Sequence, residues 1–257
     1  MAGKKGFKYL IILLLTFAGM ETMVAQESAR DKVYQALIYD RMHEWDEVIV
    51  EMNSRKSSLS DKELGELVKY YYGYTGWLME EGPKKKAKAY VAEADALIDA
   101  MLVKYPGESD LYAFKGAFFA YKISLNPVKA PFLGGQSMDN IDRAVELGPE
   151  RPQAWIEKGN ALFYMPRAFG GSKEKAVKAY AKAISFMEED SISLHNDWMY
   201  LNVLLILAQG YEKTGNYDLA KSTYDKLLYV EPRFSYVRDE AYPDFMKSYE
   251  EQHSSGN

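Results

Sequence analysis

From residue 28 to residue 250 the apolar positions recur at intervals of three and four, and no stretch sustains an alternation of period two. That spacing lines apolar side chains along one stripe of a helix and predicts an all-α chain. Residues 201–211 are apolar at most positions, the pattern of a helix enclosed on most sides. The clearest unit runs from Leu204 to Pro232. Its two helices are predicted to meet at Thr214-Gly215-Asn216, where glycine supplies the left-handed residue that closes a helix. Ala208 and Ala220 let the helices approach closely, Tyr211, Tyr217 and Tyr224 fill the space between them, and Pro232 ends the unit.

With Ala208, Tyr211, Ala220, Tyr224 and Pro232 at these intervals, the segment resembles a tetratricopeptide repeat (TPR), a helix–turn–helix of about 34 residues. Leu227 stands where the family has a small residue. Upstream, Trp155, Gly159, Ala176, Tyr180 and Ala183 form a second match, and Tyr112, Gly116, Ser137, Ile141, Ala144 and Pro149 a third. A fourth spans about Leu64 to Pro106, with Gly73 or Gly76, Ala94, Ile98 and Met101. Near the start, Ala36, Tyr39, Trp45 and Met52 make a partial one. The resemblance implies a TPR-like right-handed solenoid of antiparallel helix pairs, with about 4–5 repeats over residues 26–253 and a disordered tail at 254–257.

Two units depart from the family by lengthened inter-helix loops. Gly159 to Ala176 is 17 residues and Gly116 to Ser137 is 21, against 12 from Ala208 to Ala220. The insertions contain related motifs, Pro131-Phe132-Leu133-Gly134-Gly135 and Arg167-Ala168-Phe169-Gly170-Gly171. Phe132, Gly134, Gly135, Phe169, Gly170 and Gly171 are therefore candidate ligand-loop residues, since paired glycines before a helix let a ligand approach free N–H groups. The competing reading is structural: the glycines permit a tight turn and the phenylalanines plug the core. In this context the motif is similar to the T component associated with TRAP transporters, which implies an accessory role in periplasmic small-ligand binding.

The solenoid geometry implies a concave groove lined by the first helix of each pair. Its candidate partner-binding residues are Gln153, Ile156, Asn160, Phe163, Asn202, Leu205, Gln209 and Glu212. They lack the clustered Lys and Arg of a clamp for acidic peptide tails.

Composition narrows the function. Hydrophobic residues make up 47% and charged residues 27%, values of a globular protein. The absence of cysteine excludes disulfides, cysteine–zinc sites, thiol nucleophiles and an N-terminal lipid on cysteine. A net charge of −5 argues against nucleic acid as the partner. Lys4, Lys5 and Lys8 precede the apolar run Leu10–Ala18, and a polar stretch follows Ala25, the layout of a cleaved signal peptide over residues 1–25. An uncleaved anchor is the alternative. The exported part is expected to be periplasmic and not to span a membrane.

Candidate chemistry is sparse. His43, His195 and His253 are scattered, and His43 with Glu47 is half of a metal pair at best, so neither metal nor cofactor is expected. The acidic group Glu188-Glu189-Asp190 and the basic run Lys84-Lys85-Lys86 read as solvated faces. Tyr70, Tyr74 and Trp77 share one helical face and are expected in the core, leaving other rings of the Tyr70–Tyr72 cluster partly exposed. The sequence thus describes an exported, non-enzymatic scaffold for a protein or peptide of the cell envelope. The alternative is an accessory protein holding a small hydrophobic ligand.

Overall fold

A computed structural model describes residues 28–189 and 194–254. Residues 1–25 and 255–257, read above as signal peptide and tail, lie outside the described residues. Ser254, read as the start of the tail, is the last residue of a helix.

Among the described residues there are eleven α-helices and no strand. They are α1 (Ala29–Ile38), α2 (Met42–Ser54), α3 (Asp61–Glu80), α4 (Lys84–Lys104), α5 (Ser109–Leu125), α6 (Ala130–Leu147), α7 (Pro152–Tyr164), α8 (Lys173–Glu189), α9 (Trp198–Lys213), α10 (Tyr217–Val230) and α11 (Tyr242–Ser254). Polar caps start several of them. Ser60 and Glu63 close a reciprocal capping box on α3, and the Asp197 carboxylate accepts from the Met199 and Tyr200 amides of α9. Proline stands in the first turn of α7, where its missing N–H has no helical partner to lose.

Consecutive helices pack as antiparallel pairs, α1 with α2 through α9 with α10, and α11 adds one helix to the end. Small residues sit where the pairs touch: Ala36, Ala94, Ala176, Ala208 and Ala220 are completely buried. Tyr224 is buried between α9 and α10, and α11 covers its ring with Tyr242 and Phe245.

The insertion between Gly116 and Ser137 corrects one expectation. It is not a loop but added helix, with α5 extended to Leu125 and α6 beginning at Ala130. Pro131 sits in the first turn of α6, and Gly134 and Gly135 follow inside the helix. The Ser137 hydroxyl donates to the Gly116 carbonyl at 2.8 Å, so the small-residue contact between the helices is kept despite the insertion.

A second finding was not anticipated. α3 lies inside the array, with Tyr70, Tyr71, Tyr72, Tyr74, Thr75 and Leu78 all buried. Helices enclose it on several sides. Trp45 of α2 donates to the Tyr70 carbonyl, Tyr90 of α4 packs edge-on to Tyr71, and Tyr121 of α5 donates to the Tyr72 carbonyl at 3.2 Å. The expected exposure of part of this tyrosine cluster is therefore corrected.

The array also closes on itself. Trp45 of the first pair meets Trp198 of the fifth edge-on, with ring centroids 4.8 Å apart. A side chain at Gly73 of α3 would stand 2.6 Å from the Trp198 ring and 2.7 Å from the Trp45 ring, so glycine is what lets α3 lie against the pair. Tyr34 of α1 donates to Glu231 at 2.8 Å, Ser235 donates to the Ile38 carbonyl at 3.0 Å, and Asn196 donates to Asp31 at 2.7 Å. One continuous apolar core runs from Val33 to Phe245.

Candidate binding surface

Part of the predicted groove is closed, and α3 reaches it through Tyr72, which accepts from Asn160. Gln153, Ile156 and Leu205, expected to line an open surface, are buried. Asn160 of α7 is half-buried and fully engaged. Its Nδ2 donates to Tyr72 of α3 at 3.1 Å and to Glu157 at 3.1 Å, while its Oδ1 accepts from Tyr180 of α8 at 2.9 Å. Gln153 Nε2 donates to Glu157 at 2.7 Å.

Glu157 is the unusual member of this network. It is 2% exposed and has hydrogen-bond donors around it but no cation. Burial pushes its carboxyl up to about 7, against the opposing effect of donors from Asn160, Tyr72 and Gln153. Sequence reading did not single it out, because a carboxylate four residues after a glutamine on a helix looks like surface.

The outer half of the concave face is open. Phe163, Asn202, Gln209 and Glu212 keep partial access, and Tyr164 is 75% exposed. The Tyr164 ring meets Phe163 edge-on at 5.2 Å. The Glu80 charge at the end of α3 reaches three tyrosines from different elements, Tyr121, Tyr164 and Tyr236. Crowding by surrounding atoms raises each hydroxyl pKa first, and the Glu80 charge adds to it.

The two glycine-pair segments are not equivalent. The α7–α8 connection is a true loop, with Phe169 at the end of a short 3-10 turn and Gly170 left-handed at φ +101°. Gly171 is buried against the Met165 carbonyl, where any side chain would overlap the backbone. The Ser172 amide donates to the Leu162 carbonyl at 2.8 Å, which ties the loop back to α7. Here the glycines serve the turn. Gly134 and Gly135 meet nothing within 4 Å of a hypothetical side chain and lie in open space on α6. Phe132 and Phe169 do not plug the core: they are 74% and 77% exposed.

The remaining candidates fall into ordinary contacts. Lys86 pairs with Asp46 and lies over the Tyr74 and Tyr90 rings. Glu188 accepts from Tyr200 at 2.8 Å and pairs with Lys226. His253 stacks on Tyr249, and His43 lies with Glu44, Glu47 and Lys32 in a shallow charged depression. Among the described residues no three His, Asp or Glu side chains converge as a metal site would require, and no helix is long and apolar enough to cross a membrane.

No protein-family model and no curated protein sequence matches the chain. Solved structures do. The HusA haemophore from Porphyromonas gingivalis is 18% identical, with 76% of this chain and 97% of that one covered and a TM-score of 0.50. The MamA protein is 20% identical over 71% of this chain and 93% of that one, with a TM-score of 0.38. At 18% identity the likeness to HusA is one of fold: an all-helical array of packed pairs.

Proposed function

We propose that this chain is an exported, non-enzymatic TPR-type adaptor that holds a protein or peptide of the cell envelope against the open half of its concave face. One observation carries the reading. Beside the buried part of the predicted groove, the Phe163 ring keeps partial access and the Tyr164 ring is exposed, and the two meet edge-on at 5.2 Å. Accessible aromatic side chains on rigid helices are the usual anchors of protein contacts. Export rests on the basic and apolar pattern of residues 4–18.

The test is a photo-crosslinking residue in place of Tyr164, activated in the native envelope and followed by mass spectrometry. A discrete partner captured from position 164 but not from exposed Ser222 supports the reading. Equal capture from both, or none from 164, overturns it.

A second reading uses the same rings for a flat apolar ligand, and the haemophore of similar fold makes haem the probe to try. Titration of the full chain with haem would give an absorbance shift that Tyr164→Ser reduces. No shift discards this reading.

A further inference from the structure

Two neighbouring helix turns project exposed apolar side chains and cations. In an array of antiparallel pairs, the α5–α6 and α7–α8 turns lie at the same end, and α5 packs directly on α7. The first turn carries Val128 and Phe132, 77% and 74% exposed, and the second carries Phe169, 77% exposed. Lys129 lies between Val128 and Phe132, and Arg167 and Lys173 flank Phe169. The chain has a net charge of −5, yet no Asp or Glu occurs in residues 111–138 or 158–173; the first acid after them is exposed Glu174, which the Arg167 and Lys173 charges reach. Lys129 and Arg167 form no ion pair among the described residues.

We propose that these two turns together form a docking surface for an anionic lipid bilayer. The geometry favours lipid over protein. The phenylalanines stand on protruding turns, and convex apolar tips ringed by cations fit the boundary between headgroups and acyl chains. A protein site would call for a pocket or a broad flat patch around each anchor. The charge pattern supplies the complement: cations are drawn to an anionic headgroup layer, while the acidic remainder of the chain is repelled by it. The neighbouring α3–α4 turn is mixed, with Glu80 and Glu81 beside exposed Lys84, Lys85 and Lys88, and it stays outside the surface. This inference goes beyond the adaptor reading, which rests on Phe163 and Tyr164.

The chain has no cysteine, so Ala168→Cys provides a unique attachment point for an environment-sensitive dye on the full chain. The probes are vesicles of phosphatidylcholine alone and vesicles with about a third phosphatidylglycerol. The expected result is a blue shift of the dye at position 168 on anionic vesicles only, with no shift for a dye at Ser222→Cys. Phe132→Ser with Phe169→Ser should weaken vesicle binding roughly tenfold or more, and Lys129→Glu with Arg167→Glu to a similar degree. All four side chains are exposed, so thermal unfolding should be unchanged and serves as the folding control. A dye at 168 that stays in water while the protein sediments with vesicles assigns binding to another segment and overturns the proposal. So does equal binding to neutral vesicles, or capture of a protein through these turns without any lipid response.

Discussion

Trp45 and Trp198 meet edge-on at 4.8 Å, although 153 residues separate them in the chain. Both rings are buried, and the pair joins the first helix pair to the fifth. Replacing Trp198 with Ala removes a large buried ring and leaves a cavity beside Gly73. The expected loss is about 3–5 kcal/mol in chemical unfolding. Gly73→Ala attacks the same junction by overpacking, at about 1–3 kcal/mol.

Much of this arrangement was legible in the sequence. Ala36, Ala94, Ala208 and Ala220 mark helix contacts because only a small side chain permits that approach, and their spacing shows the pairing. The closure was not legible. It depends on Trp45, Gly73 and Trp198, which follow no common period. The burial of α3 did leave a trace: residues 70–79 contain no charge. Helical periodicity assigned its rings to two faces, whereas the structure buries both.

Glu157 should make stability fall as pH rises. Its folded-state pKa is raised from 4.5 to about 7, so its contribution is fully present below pH 4.5 and lost as pH rises through 7. The span corresponds to about 3 kcal/mol. Glu157→Gln keeps the hydrogen-bonding shape and should remove this slope. Unfolding midpoints measured from pH 4 to pH 8 in both proteins check it; equal slopes count against an ionising Glu157.

Glu231 should act with the opposite sign. Arg233 and the Tyr34 hydroxyl hold its carboxyl below the usual range. Its stabilisation is present above pH 4.5 and fades as the solution is acidified through the lowered value. Tyr34→Phe deletes a bond between α1 and the segment after α10, and should cost about 1–2 kcal/mol at neutral pH. Equilibrium unfolding of the variant provides the number.

The glycine pairs should respond in opposite directions. Gly134→Ala and Gly135→Ala lie in helix with open space, so each should raise stability by about 0.5–1 kcal/mol. Gly171→Ala would collide with the Met165 carbonyl and should destabilise. Thermal melting of the three variants settles the order.

Thr75 offers a gain. Its hydroxyl is fully buried on α3 without a partner. Thr75→Val preserves the branched shape and removes that unmet donor, for an expected rise of about 1 kcal/mol. A lower melting temperature would point to a partner for the hydroxyl.

The bond from Tyr34 to Glu231 spans 197 residues, and its meaning extends beyond its strength. An open stack of repeats can be lengthened, trimmed or melted one unit at a time. A ring that locks its ends through such distant residues has a set number of units. Inserting or deleting one pair would misalign the lock, and the molecule should unravel in a single step instead of peeling from a terminus.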